Sequence, residues 1–216
     1  MRLSTGGDIG EDQAVATVAA AVEAGVTVFD TARAYEGNER LLARALRGWG
    51  AGARARIITK GGMSRPGGSW VPDGRAGSIR RDCEASLTAL DGLPIDLYLL
   101  HAPDPRTPWA TSVRALARLV EAGLVGRVGL SNVTGAQLDR ALHLAPITAV
   151  QFALSVVDDT ALRSGLLQRC EKLGITVIAH SPLGGPARIR RVLTREPALT
   201  TVAQRHGVGA AEVALA

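Results

Sequence analysis

Aromatic residues and lysine are both scarce in this 216-residue chain. Phe, Tyr and Trp together make 3% of it, and the two lysines are Lys60 and Lys172. A net charge of +5 and a pI near 10.0 would suit a nucleic-acid binder. Bases, however, need a basic track interleaved with aromatic rings, and this chain has too few rings to build one. The basic excess is almost all arginine spread along helices, which reads as a compositional habit. Cysteine is also rare. Cys83 and Cys170 fall in different helical stretches, lack metal or redox spacing, and are expected to be reduced packing residues. The four histidines are scattered, with no H-E-x-x-H or comparable ligand spacing, so no metal site is expected. No segment approaches the roughly 18 consecutive apolar residues of a membrane helix. Met1 is followed by Arg2-Leu3-Ser4-Thr5-Gly6-Gly7, without the apolar core of an export signal. The expectation is a cytoplasmic protein that binds neither membrane nor nucleic acid.

Apolar residues make up 46% of the chain and charged residues 21%, ordinary values for one globular domain with a sizeable core. Helical and strand patterns alternate throughout. Helices are expected over residues 11–24 (with Asp8 as cap), 39–46, 78–90, 112–122, 137–144, 160–173 and 198–216, the last broken at Gly207–Gly209. Strands are expected over residues 26–29, 57–59, 97–100, 127–130, 149–152 and 176–179. Repeated βα units without a run of strands argue for a parallel sheet. Six strands fall short of the eight in a closed (β/α)8 TIM barrel, which typically takes about 250 residues. The choice is therefore between an incomplete barrel and an open doubly wound sheet. No G-x-G-x-x-G follows a strand, and Gly62–Ser69 lacks the Lys of a P-loop. Gly129-Leu130-Ser131-Asn132-Val133 lacks the final glycine of a nucleophile elbow. The incomplete barrel fits better.

Parallel strands open their carboxyl ends onto the ligand site. At those ends lie Asp30 with Tyr35, then Lys60, His101, Ser131-Asn132, Gln151 and His180-Ser181-Pro182-Leu183-Gly184-Gly185. An acid, a phenol, an amine and an imidazole can together move a proton. Each also has a plainer explanation. Asp30 would cap a turn, Tyr35 would be a loop aromatic, and His101 would be satisfied by backbone. Lys60 stands out because arginine, which this chain prefers, cannot tune its charge.

The ordered set resembles the aldo/keto reductase family, barrel enzymes that use a nicotinamide cofactor. The resemblance spans about Leu3 to Ala216, and Asn38-Glu39 after the tyrosine also fits. It implies hydride transfer to the carbonyl of a small aldehyde or ketone, with Tyr35 as proton donor. Lys60 would then lower the tyrosine pKa, Asp30 would orient Lys60, and His101 would polarise the carbonyl. It further implies NADPH, ahead of NADH, as cofactor. Ser131, Asn132 and Gln151 would meet the nicotinamide carboxamide, and His180 its ring. Ser181, Pro182, Leu183 and Gly185 would lie along the pyrophosphate. Trp70 and Trp109, on the loops after the Lys60 and His101 strands, would line the substrate mouth or serve as packing anchors. Arg188, Arg190, Arg191 and Arg195 would meet cofactor phosphates or form a solvated helix face.

The sequence departs from the family pattern in three places. His180 stands where the family usually has a tyrosine against the nicotinamide. Met1–Thr5 is at best the tail of the first barrel strand. The eighth strand, eighth helix and adenosine-phosphate segment are expected to be missing, which would leave strands two and seven as unpaired edges. Two readings follow: a reductase truncated at both ends, or a non-enzymatic fragment that keeps the fold as an interaction module.

Overall fold

A computed structural model describes residues 10–52, 54–185 and 188–216. The expected first-strand tail at Met1–Thr5 and the cap Asp8 lie outside them; helix α1 instead begins at the N-cap Gly10. The chain divides into two compact units, Met1–Ser131 with Gln137–Thr148, and Asn132–Ala136 with Ala149–Ala216.

The first unit alternates helix and strand: α1 (Glu11–Glu23), β1 (Val28–Asp30), α2 (Asn38–Gly48) and β2 (Arg56–Gly61). A short ribbon follows, β3 (Met63–Ser64) with β4 (Val71–Pro72), then α3 (Ala76–Ala89), β5 (Leu97–Leu100), α4 (Trp109–Glu121) and β6 (Val128–Ser131). Helix α5 spans Gly135–Leu142. β1 pairs in parallel with β2, β2 with β5 and β5 with β6, so Asp30 lies opposite Ile58 and Lys60 opposite Leu99. All four residues of β5 are buried, as expected of an unbroken apolar run in an interior strand of a parallel sheet. The helices bury one stripe each: Leu41, Leu42, Ala45 and Leu46 on α2, and Val113, Leu116 and Leu119 on α4. Gly123 closes α4 in the left-handed region at φ 66°, where a side chain would be strained. Burial pushes the Cys83 thiol up to about 12, leaving it an inert packing group.

In the second unit β7 (Ile147–Ala153) runs parallel to β8 (Thr176–His180), with Ala153 opposite His180. The single helix expected over 160–173 is two, α6 (Thr160–Arg163) and α7 (Leu166–Lys172). Gly165 between them takes φ 74° and redirects the chain. Helix α8 (Ile189–Arg195) agrees with the helix face expected for Arg188 to Arg195, whereas the ribbon β3–β4 in the first unit was not expected. The break at Gly207 is where it was expected, between α9 (Pro197–His206) and α10 (Ala210–Leu215).

The six expected strands are all present, with β1 starting two residues late. Among the described residues no helix is long and apolar enough to cross a membrane, and no cluster of three or more His, Cys, Asp or Glu could hold a metal ion.

Candidate active site

Strand β1 ends on Asp30, and its neighbour β2 carries Lys60 one residue before its own end. Lys60 Nζ donates to Asp30 Oδ2 at 2.7 Å and to the Thr31 carbonyl at 2.7 Å. With 1% of its surface exposed, the ammonium is desolvated, and burial pushes its pKa below the usual lysine range. The charges of Asp30 and Glu39 pull it part of the way back. Main-chain bonds fix this corner: the Thr31 amide donates to the Ile58 carbonyl, and the Arg33 amide to the Lys60 carbonyl.

Tyr35 sits on the turn that leads into α2. Its amide donates to the Ala32 carbonyl, and Glu36 and Gly37 swing the chain round with φ of 33° and 69°. The start of α2 is tied down by two buried side-chain bonds. Asn38 Nδ2 donates to Thr31 Oγ1 at 2.7 Å, and Thr59 Oγ1 donates to Glu39 Oε1 at 2.6 Å. Burial raises the Glu39 carboxyl pKa, opposed by the hydroxyls of Thr59 and Ser86. Held this way, the Tyr35 ring lies 5.3 Å from Lys60 Nζ.

His101 follows β5 directly, its amide donating to the Gly61 carbonyl at 3.0 Å. Its imidazole meets the Tyr35 ring edge-on at 5.6 Å, and Trp70 closes a triangle with both, 5.5 Å from His101 and 6.1 Å from Tyr35. Asp30, Tyr35, Lys60 and His101 are thus brought together, with Trp70 beside them. Trp109 is placed differently. It opens α4, and its indole N–H donates to the Gln137 carbonyl at 3.1 Å, which makes it a packing anchor of the first unit.

Sequence reasoning missed the residue that fixes the two loops around this cluster. The Asp104 carboxylate, 3% exposed, accepts from the amides of Gly74 and Arg106 at 3.0 Å each and from the Thr107 hydroxyl at 2.8 Å. Burial alone would raise its pKa, but these donors hold it at about 2. Arg106 Nη2 also donates to the Pro72 carbonyl and Ser112 Oγ to the Gly74 carbonyl. The loop carrying Trp70 is thereby stapled to the loop after His101.

Of the expected cofactor residues, Ser131 ends β6 and is buried, and Gln151 is buried within β7. In the second unit the Asn132 amide donates to the Gln151 carbonyl at 2.9 Å. His180 ends β8 with Nε2 3.1 Å from Asn132 Oδ1 and Nδ1 3.2 Å from Ser181 Oγ. With its proton on Nε2, the imidazole donates to the amide oxygen and accepts from the hydroxyl. Ser181, Pro182, Leu183 and Gly184 form a turn closed by the Gly184 amide on the Ser181 carbonyl, and Gly185 follows at φ 77°. Arg188, Arg190, Arg191 and Arg195 are all exposed on or beside α8. Among the described residues four non-glycine residues adopt positive φ, Glu36, Asp91, Asn132 and Ser181. All but Asp91 are candidate site residues or adjoin one.

The site thus places a buried ammonium, paired with a carboxylate and facing the ring of a phenol, at the ends of successive parallel strands of an α/β scaffold. The chain belongs to the aldo/keto reductase family, whose model matches residues 1–216. It is 35% identical over 176 residues to the aldo-keto reductase str7 of Strobilurus tenacellus, a match covering 81% of this chain and 51% of the relative. The chain thus spans about half the length of that curated relative. Among solved structures it resembles the glycerol dehydrogenase of Gluconobacter oxydans, with a TM-score of 0.82 at 27% identity over 94% of this chain and 71% of that one. It also resembles an aldo/keto reductase of Klebsiella pneumoniae in complex with NADP and acetate, with a TM-score of 0.77 at 27% identity over 94% of this chain and 69% of that one. These likenesses fit an incomplete TIM barrel.

Proposed function

We propose that this chain carries the catalytic site of an NAD(P)H-dependent reductase that converts an aldehyde or ketone to the alcohol, with Tyr35 as proton donor. The observation behind this reading is the buried Lys60 ammonium, held by Asp30 at 2.7 Å and 5.3 Å from the Tyr35 ring.

A reduced nicotinamide, when bound, supplies the hydride for the carbonyl carbon. The chain's own residues then manage the charge that develops on oxygen. A phenol with a pKa of about 10 is a slow acid near neutrality. An ammonium beside it favours the phenolate and so eases release of the proton. Asp30 keeps that ammonium charged and aimed, and the Thr31 carbonyl fixes it from a second side. His101 donates toward the carbonyl oxygen and polarises it. Trp70, against the Tyr35 and His101 rings, lines the substrate mouth.

The side chains at the next strand ends suit a nicotinamide. Its carboxamide offers one acceptor and two N–H donors, which the Ser131 hydroxyl and the Asn132 and Gln151 amides complement. His180 takes the stacking place, and Ser181, Pro182, Leu183 and Gly185 approach the pyrophosphate. NADPH is the preferred form, supported by the Klebsiella pneumoniae relatives solved with NADP and with NADPH. In this reading residues 1–216 are one partial barrel domain, and β1, β2, β5, β6, β7 and β8 correspond to barrel strands two to seven. It is a cytoplasmic enzyme for small carbonyl compounds, without nucleic-acid partners. Family membership favours it over an interaction module.

The test is Tyr35→Phe. Loss of its general acid is expected to lower the reduction rate by roughly 10²- to 10⁴-fold. Cofactor affinity, read by quenching of tryptophan emission, should stay unchanged. Retained turnover would remove Tyr35 from the donor role. Failure of both NADPH and NADH to bind at millimolar concentration would sink the reductase reading of this chain.

A further inference from the structure

We propose that Arg65 makes this site selective for carbonyl substrates that carry a carboxylate, an inference that rests on the reductase reading above. The β3–β4 ribbon pairs Ser64 with Val71 in antiparallel register. The next positions outward, Arg65 and Trp70, therefore face each other, and the Arg65 guanidinium lies 4.3 Å from the centre of the indole ring. That same indole touches the His101 imidazole at 5.5 Å and the Tyr35 ring at 6.1 Å. A substrate that crosses the indole reaches the guanidinium at one end and the proton-delivery cluster at the other.

The cation is preorganised. Stacking on Trp70 fixes the plane of the guanidinium, and Nη2 donates to the Gly68 carbonyl at 2.9 Å within the same turn. It also has binding capacity to spare. The other two arginines of these loops are neutralised by carboxylates, Arg75 by Asp73 at 2.6 Å and Arg106 by Asp104 at 3.2 Å. Among the described residues Arg65 has no such partner, and its buried Nε–H meets no protein acceptor. A half-buried, immobilised guanidinium with donors left over suits a carboxylate, which it can bind through a planar fork. Trp70 is 49% exposed, so the approach along the ring is open.

The test compares para-formylbenzoate with its neutral methyl ester. In the wild-type chain the carboxylate should give the higher kcat/KM. Arg65→Met should lower kcat/KM for the carboxylate by about 10- to 100-fold, the worth of a charge-assisted hydrogen bond, and leave the ester essentially unchanged. Arg65→Lys should recover part of the loss, since it restores charge without the fork. An equal loss on both substrates, or no loss on either, would overturn the assignment. Binding read by tryptophan quenching separates this from the parent reading. If neither aldehyde is reduced, the reductase reading fails, while tighter binding of para-formylbenzoate to wild type than to Arg65→Met would still uphold the anion site. Equal binding to both would overturn it.

Discussion

A Cβ added to Gly61 would lie 1.8 Å from the hydroxyl oxygen of Tyr98, on the neighbouring strand. Tyr98 is fully buried and donates to the Ile79 carbonyl at 3.3 Å, and burial keeps its phenol well above the usual pKa and neutral. Gly61→Ala is therefore expected to destabilise the fold by about 1–3 kcal/mol through overpacking. Because Gly61 follows Lys60 directly, the strain falls on the strand end that carries the candidate catalytic amine. Tyr98→Phe in the same chain removes the clashing oxygen and should recover part of the loss. Urea midpoints of the single and double variants check this, and strict additivity would show that the two residues do not conflict.

The alkaline behaviour should trace to Lys60. Burial lowers its pKa in the folded chain, so reduction should fall as pH rises through a value below the ~10.4 of a free lysine. Stability runs the other way. Between the folded value and about 10.4 the unfolded chain binds more protons, so stability rises with pH across that window. Below it the cost of the buried ammonium is present in full. Denaturant midpoints measured against pH should show this slope in wild type and lose it in Lys60→Met. A slope that survives the substitution belongs to another group.

Asp104 predicts the opposite limb. Its folded pKa of about 2 lies below the unfolded value, so its stabilisation is complete above about pH 4 and lost as pH falls toward the folded value. The shift is worth roughly 2–3 kcal/mol. Asp104→Asn should cost about that much at neutral pH and flatten the acid limb. Since Asp104 ties the loop carrying Trp70 to the loop after His101, KM for the carbonyl substrate should rise more than kcat falls. A fall in kcat alone would argue that the staple does not position substrate.

His180→Tyr should tighten the cofactor. A phenol ring offers more stacking surface than imidazole, at the loss of the contacts to Asn132 and Ser181. A gain of about threefold to tenfold in NADPH affinity, less than 1.4 kcal/mol, is expected. Fluorescence titration decides it, and weaker binding would mean that the Asn132–His180–Ser181 bonds outweigh the ring.

The strands were legible because fully buried parallel strands write themselves as short apolar runs, as Leu97–Leu100 does. The helix break at Gly165 was not, because Leu162, Leu166 and Cys170 keep helical spacing straight through it. Two-residue strands such as Met63–Ser64 are too short to show any period. Asp30, Lys60 and His101 were readable from their places at strand ends. Asp104 and Arg65 were not, since their roles depend on atoms of other segments: the Gly74 amide for one and the Trp70 ring for the other.

The left-handed backbone at Glu36, Asn132 and Ser181 bears on how this protein can be made more heat-resistant. Glycine at these positions would relieve torsional strain of order 1 kcal/mol each, so a search for stabilising substitutions is drawn to them. The same residues aim Tyr35, His180 and their neighbours. Thermal hardening here would loosen the aim of those side chains, and the safer substitutions lie on the outward faces of α4 and α9.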